Sequence, residues 1–576
     1  MSVKEAKFTI GSINSSPEDG SLVDVDIGSQ NSLINTGSQG GGSVPILNRQ
    51  LRSISDYGRQ SPRSRDNSLS EGDRKRRKPL HHSSIPTYSS DGGNLHHAVD
   101  AQDSATLNRV RYYQRLQPDP VIVPDHVLPP HIFSVFPTGV VTDAQGKQHS
   151  IITIFSIWNT MMGTSLLSMP WAIQQAGFVM GVVLLIVMAG LTLYTCYRVV
   201  KSVESAGKNG VLVEFSDVCK AYLGRWGEIV SVFFSLSALI GAMIVYWVLM
   251  SNFLYSTVTF CYDRIVGDDP TANITESSVV CVYTSNNTSL PPPSGSTTFD
   301  EVWDQTKTVP LFLCLLIFPL INFKSPTFFT KFNALGTLSV FFLLSYVCKM
   351  AAGWKINLNF TDTESPHYAE VFSWNFPALT GILALGYFIH NCVSSIIRNQ
   401  KRPENNGRDL TIAYLLVALT YLFVGVMFYA SFPLNKDCIA DNLLDNLPHS
   451  DPLSFAARFF LLFQMITLFP LLVYITRVQL MDQLFGKAYP SVKHVLALNT
   501  CLVTISVLFA IFLPKIGTII RFSGAFCGLA YIFTLPCLVY LLDQKRNGKL
   551  TPIKIVLHGF VILLGLVNFI AQFLLL

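Results

Sequence analysis

From Ile151 to its end the chain is a succession of apolar stretches, each close to the 20 or so residues an α-helix needs to cross ~30 Å of hydrocarbon. They fall at 151–174, 177–201, 227–260, 308–323, 332–353, 376–397, 410–432, 453–479, 494–513, 517–542 and 553–575. Backbone groups in lipid must be satisfied within their own segment, so stretches of this length are read as helices. The expected fold is therefore an all-α membrane protein with eleven transmembrane helices, which places the two termini on opposite sides. The stretch at 308–323 is short, and that at 227–260 is long enough to tilt or to run beyond the bilayer. Charged residues are only 14% of the chain, against roughly 25% in soluble domains. Eleven cysteines in 576 residues are too sparse for a secreted disulfide scaffold.

Residues before about 150 differ in kind. Residues 1–104 are rich in Ser, Gly, Asn and Asp, carry the Gly40-Gly41-Gly42 cluster, and show no helical or strand period. Too little apolar surface is available there to offset chain entropy, so a disordered tail is expected. No apolar run suited to a signal peptide opens the chain, and the first membrane segment is expected to direct insertion. The basic run from Arg74 to Lys78 is read as a solvated stretch near an anionic membrane, not as a nucleic-acid tag.

Basic residues in short loops mark the cytosolic side. With the N-terminus there, the inside loops hold Lys208, Lys220 and Arg225; Lys324 and Lys331; Arg398, Lys401, Arg402 and Arg408; Lys487 and Lys493; and Lys545, Arg546, Lys549 and Lys554. The opposite loops are acidic, with Asp263, Asp268, Asp269 and Glu276 in one and Asp437, Asp441, Asp445 and Asp451 in another. Sequons at Asn273, Asn286, Asn287 and Asn359 fall on that same outer side, where glycosylation is expected. So do Cys281 and Cys438, which either remain free thiols or form a disulfide joining the two largest outer loops.

Nothing resembles a catalytic constellation: there is no Walker loop, His-Glu-x-x-His or Gly-x-Ser-x-Gly. Two apolar stretches are instead interrupted at bilayer depth. The first runs Trp158, Asn159, Thr160, Met161, Met162, Gly163, Thr164, Ser165 and on to Pro170; the sixth runs Thr380, Gly381, then Gly386, Tyr387, and His390-Asn391. Interrupted helices in corresponding positions of two inverted halves point to the binding site of a secondary transporter. Freed amides suit a carboxylate, and freed carbonyls suit an ammonium group or Na+. The competing reading is that these small residues only let helices approach closely. Gln464 and Thr467 can supply oxygens to a cation, or bond to neighbouring backbone; Arg458 and Arg521 are expected to snorkel or to pair with acidic loop residues.

At these residues a resemblance emerges. The run WNTMMGTSLLSMPWAIQQAGF (158–178) resembles the first helix of the sodium-coupled neutral amino acid transporters, within the amino acid/auxin permease family. The stretches LIGAMIVYWVLMSNFL from Leu239, NFKSPTFFTKFNALGT from Asn322, FIHNC from Phe388 and RDLTIAY from Arg408 are similar to the lysosomal branch of that family. The resemblance implies an inverted five-plus-five, LeuT-like bundle with one extra helix in residues 151–576. It implies Na+-linked movement of neutral amino acids, including leucine and glutamine, across a lysosomal or late endosomal membrane, with the N-terminus cytosolic and the C-terminus lumenal. It further implies responses to lumenal arginine and cholesterol. Carried over by match, substrate contacts fall on Thr160, Met161, Gly163, Thr164 and Ser165; the interruption of the sixth stretch adds Thr380 and Gly381 as expected contacts. The Na+ ligands fall on Asn159 and on Thr467, a better match than Gln464.

In residues 105–150, Val110-Arg111-Tyr112-Tyr113-Gln114-Arg115-Leu116 and Pro124 to Pro129 resemble the tail segment through which that branch binds Rag GTPases and the Ragulator scaffold, signalling to mTORC1. The family has Ile where Val110 stands. Tyr113 to Leu116 also fit the Tyr-x-x-apolar sorting pattern. Two functions stay open: a transporter reporting its occupancy through the tail, or an amino-acid receptor carrying little flux.

Overall fold

A computed structural model describes residues 148–206, 213–266, 302–323 and 332–574, with 126–128, 132–133, 279–281, 299 and 329. Val110, Tyr113, Leu116, Pro124, Pro129, Asn273, Asn286 and Asn287 lie outside the described residues.

The described chain is helical throughout, with two isolated bridges, Gln148–Gln400 and Asn359–Tyr368, and no strand. Its helices are α1 (Ser150–Met161), α2 (Met169–Ala176), α3 (Phe178–Ala206), α4 (Phe215–Val266), α5 (Val309–Ile321), α6 (Asn333–Trp354) and α7 (Pro377–Gly386). There follow α8 (Val393–Ile397), α9 (Asn406–Ser431), α10 (Pro452–Phe485), α11 (Val492–Phe512), α12 (Ile516–Gly528), α13 (Leu535–Arg546) and α14 (Pro552–Leu574). Among the described residues, eight helices are long and apolar enough to cross a membrane, with α12 and α13 joined through a π turn as one of them. The bent pair of α1 with the segment ending in α2 makes nine. Helices α5 and α7 are apolar but shorter, at 13 and 10 residues. All eleven apolar stretches thus carry helix, and the protein is an all-helical membrane protein.

Local chemistry explains the interruptions. Met162 leaves the helical region at ψ 77°, and Gly163 is extended at φ −118°, ψ −151°. A 3-10 turn over Thr164–Ser168 follows, and α2 starts with Pro170 in its first turn, where a missing N–H costs nothing. The two parts of the first stretch are bent by 56°. Gly177 has φ +82°, and a Cβ there would lie 2.7 Å from the Phe372 amide nitrogen, so only glycine makes this turn into α3. The long third stretch begins earlier than expected, at Phe215, and is kinked at Gly224 (φ 75°). Asp451 caps α10 by accepting from the Leu453 and Ser454 amides, and Gly486 ends it in the left-handed region.

Helix α7 packs hardest against α12. A Cβ on Gly524 would stand 2.1 Å from the Gly381 carbonyl oxygen, and one on Gly381 would stand 2.7 Å from that of Arg521. Without a hydrophobic drive between helices in lipid, such close backbone approach is what holds them. The outer face of α14 presents Ile553, Val556 and Leu574, each more than 70% exposed, as a lipid-facing helix would.

Candidate functional site

The two breaks meet. Helix α9 carries the groups that hold them: Tyr421 Oη donates to Met161 O at 2.7 Å, where α1 ends, and to Gly386 O at 3.0 Å, where α7 ends. The adjacent Thr420 Oγ1 accepts from Trp158 Nε1 at 3.2 Å, and two turns back Tyr414 Oη donates to Tyr387 O at 3.1 Å. Carbonyls that lose their partners when a helix stops are thereby satisfied by side chains. Gly386 lies against the first break: a Cβ on it would stand 3.3 Å from Ser165 Cβ.

On its other side the first break opens on a cavity of about 20 Å³, lined by Met162, Gly163, Leu166, Tyr246, Val340 and Gln464. That is room for a water molecule and too little for an amino acid, so the site is closed in this conformation. The Tyr246 hydroxyl lies 3.6 Å from where a Gly163 Cβ would be, and Gln464 Oε1 is buried without a hydrogen-bond partner.

The expected site residues divide into two groups. Met161, Gly163, Thr164 and Ser165 sit at the break, buried or half-buried. Thr160 instead donates back to Ser156 O at 2.7 Å. Thr380 donates to Asn568 Oδ1 on α14, and Gly381 packs on α12, so neither is brought to the first break. Their place in the sequence looked like a break, whereas α7 runs straight through them and stops at Gly386.

Asn159 Oδ1 accepts from Thr337 Oγ1 at 3.2 Å, and Thr467 Oγ1 donates to Gln464 O at 2.8 Å. These neutral oxygens suit Na+ chemically, and each is hydrogen-bonded to a different neighbour. Among the described residues no group of three or more His, Cys, Asp or Glu could hold a metal.

A second cavity, of about 60 Å³, lies where α4 starts and α10 ends, and His126 and Leu128 of the N-terminal region form part of its wall. His126 Nε2 lies 3.0 Å from Asp217 and its Nδ1 3.7 Å from Asp482. Val127, Leu128, Ile132 and Phe133 are buried. Arg398 donates to Leu128 O at 3.4 Å and pairs with Glu214 at 2.6 Å, and Ser395 also donates to Glu214. Burial opposes charge on His126, but Asp217, with help from Asp482 and Glu214, outweighs it and raises its pKa to about 9. Sequence reasoning places His126, Val127 and Leu128 in a partner-binding segment and does not foresee that they pack against the bundle.

At the opposite end the loop before α10 closes over α2. The Cys281–Cys438 disulfide expected there is present. Asn446 donates to Val280 O and Cys438 O, and Asp441 accepts from the Gly517 amide at 2.9 Å. Arg458, 1% exposed, does not snorkel: its Nη2 donates to Leu444 O and Leu447 O of this loop. At Asn359 the Thr361 hydroxyl donates to the Asn359 side-chain oxygen at 3.0 Å.

The sequence matches the family model "Transmembrane amino acid transporter protein" over residues 147–574. The chain belongs to this family. Within it, the chain is 48% identical over 497 residues to "Neutral amino acid transporter 9" of Xenopus tropicalis, covering 82% of this chain and 90% of that one. It is 46% identical over 530 residues to the protein of the same name in Danio rerio, covering 87% and 96%. "Sodium-coupled neutral amino acid transporter 9 homolog" of Caenorhabditis elegans is 46% identical over 492 residues, covering 81% and 80%. A member of this family is a transporter of amino acids.

Proposed function

We propose that the protein exports neutral and essential amino acids from the lysosomal or late endosomal lumen, with Na+ linked to the movement. The observation that carries this reading is the meeting of two interrupted helices at one tyrosine. An amino acid's carboxylate is recognised by the amides freed after Gly163, and its ammonium by the carbonyls freed at Met161 and Gly386. In this reading all eleven apolar stretches span the bilayer in an inverted five-plus-five arrangement plus one helix. The N-terminus is cytosolic, the C-terminus lumenal, and Asn273, Asn286, Asn287 and Asn359 carry glycans. Asn159 and Thr467 contribute oxygens to the Na+ site. Relatives whose names carry "neutral amino acid" and "sodium-coupled" support the substrate and ion assignments.

The docked segment around His126 favours a second role alongside transport, as a receptor. In this reading the cavity lined by His126 and Leu128 is the vestibule by which substrate leaves on the cytosolic side, so these residues cannot serve a partner protein while docked there. Substrate that favours the state without the docked segment frees it for Rag GTPases and Ragulator, in proportion to its differential affinity for the two states. Arginine and cholesterol belong to this sensing role, and no acidic residue lies in the first break to hold a guanidinium group.

The test is counterflow of labelled leucine, glutamine or arginine in proteoliposomes. Thr164→Trp fills the break and is expected to abolish exchange and substrate-dependent partner binding. Exchange at the wild-type rate in that variant overturns the site.

A further inference from the structure

Arg198 lies on α3, where that helix passes the end of α13 and the start of α14. Its guanidinium carbon sits over two tyrosine rings, 4.8 Å from the Tyr194 centroid and 4.1 Å from that of Tyr540. His558 of α14 ties these rings together: its Nε2 is 2.8 Å from the Tyr194 hydroxyl, and its ring stacks on Tyr540 at 4.7 Å. The other ring nitrogen, Nδ1, donates to Lys554 O at 2.7 Å, one turn earlier on α14. Three helices therefore hold one guanidinium in a fixed place.

What they do not supply is an anion. Arg198 Nε is buried without a hydrogen-bond partner, and among the described residues no carboxylate pairs with this side chain. Ring faces attract a guanidinium but carry no charge, so its N–H edge is left for an acceptor. Lys554 donates only to neutral oxygens, Gln544 Oε1 and Lys549 O, both at 2.8 Å. The nearby acids are engaged elsewhere: Asp543 accepts from Tyr222 and Gln544, and Glu204 pairs with Lys201. Lys545 and Lys549, at the turn joining α13 to α14, are exposed and add positive charge.

The surroundings point to a lipid. α13 ends at Arg546 and α14 starts at Pro552, so the cluster lies one or two turns inside the helix ends, at the level of phospholipid phosphates. Arg198, Tyr540 and Lys554 are half-buried, which leaves the crevice reachable from outside. Beside it Ile553, Val556 and Leu557 of α14 are exposed, an apolar surface suited to an acyl chain.

We propose that the crevice between α3, α13 and α14 binds an anionic phospholipid. Arg198 and Lys554 donate to its phosphate, Lys545 and Lys549 face the rest of the headgroup, and an acyl chain runs along the exposed face of α14. A zwitterionic headgroup brings its own cation towards these lysines, so net charge selects the lipid. On the proposed orientation this is the cytosolic leaflet, where anionic lipids attract basic segments. The bound lipid bridges α14 to α3 and α13.

The test is a thermal melt of the full-length protein in detergent, titrated with phosphatidylserine, phosphatidylcholine or sodium phosphate. Phosphatidylserine is expected to raise the midpoint saturably, and the other two at equal concentration are not. Losing one charge-assisted hydrogen bond weakens binding by roughly tenfold or more. Arg198→Gln and Lys554→Gln, on different helices, should therefore each need about tenfold more phosphatidylserine for half of the rise. Lys493→Gln, which removes an exposed lysine of α11 outside the crevice, should titrate as the wild type does. Equal rises with phosphatidylserine and phosphatidylcholine in the wild type, which needs no variant to fold, overturn the proposal. So does a rise with sodium phosphate that phosphatidylserine does not exceed, which would make the ligand a free anion. An unchanged titration in Arg198→Gln or Lys554→Gln, or an equal weakening in Lys493→Gln, also overturns it.

Discussion

Replacing His126 with Ala should loosen the docked segment. The imidazole sits between two carboxylates, at 3.0 Å from Asp217 and 3.7 Å from Asp482, and all three side chains are a quarter exposed or less. A hydrogen bond to a charged group in such a place contributes about 2 kcal/mol, and the longer, partly wet pair about 0.5 kcal/mol. Together they shift the docked-to-free ratio by roughly 60-fold. Apolar burial of Val127, Leu128, Ile132 and Phe133 remains, so the segment should loosen and not vanish from its groove. The sign of the pH effect follows from the raised pKa. A histidine that titrates near 6.5 when free and near 9 when docked gives its full contribution below about pH 6.5 and loses it as pH rises toward 9. Hydrogen exchange across residues 126–133 in the full-length protein reads this directly: faster exchange in His126→Ala at pH 6.5, converging with the wild type near pH 9. Equal exchange of the two proteins at pH 6.5 would refute the reasoning.

Other expectations follow from single contacts. Gly524→Ala places a Cβ 2.1 Å from Gly381 O and 2.8 Å from the Leu385 nitrogen, both backbone atoms, so α7 and α12 must separate at a cost of about 1–3 kcal/mol or more; Gly559→Ala, with nothing within 4 Å, is the control in a thermal-melt comparison. Burial and then Asp441 push the Asp445 carboxyl up to about 7, against the pull of Arg458. The folded loop therefore holds its proton more tightly than the free chain does, is most stable in acid, and loses that stability as pH rises from about 4 to about 7. Limited proteolysis of this loop should accelerate over that window in the wild type and stay flat in Asp445→Asn. Cys438→Ser removes a crosslink spanning 157 residues and should lower stability by about 2–4 kcal/mol, seen as a reduced midpoint in a detergent melt.

How much was legible in the sequence depended on how local each signal was. The first break was readable because Gly163, the polar Thr164-Ser165 pair and Pro170 each act on their own stretch of backbone. The sixth stretch was read half correctly. Gly381 and Gly386 look alike as letters, yet one lets two helices touch and the other ends a helix, and only the position of Arg521 and Tyr421 tells them apart. The tyrosines of α9 were missed for the same reason, since an apolar helix hides which ring faces a neighbour's loose carbonyl. The disulfide was readable because two lone cysteines shared one side, whereas Arg458 was read only in part: it faces the acidic Asp445 as expected, but its hydrogen-bond partners are loop carbonyls, which no composition reveals. His126 and its apolar neighbours form too short a cluster to stand out from a polar region.

The central claim is that the facing breaks of the first and sixth stretches hold the amino acid. An experimental density map of the protein with leucine bound tests it most directly. The account predicts ligand density between the Gly163–Ser165 backbone and Gly386. Density for the ligand elsewhere, with α1 and α7 continuing as unbroken helices packed against each other, would contradict it.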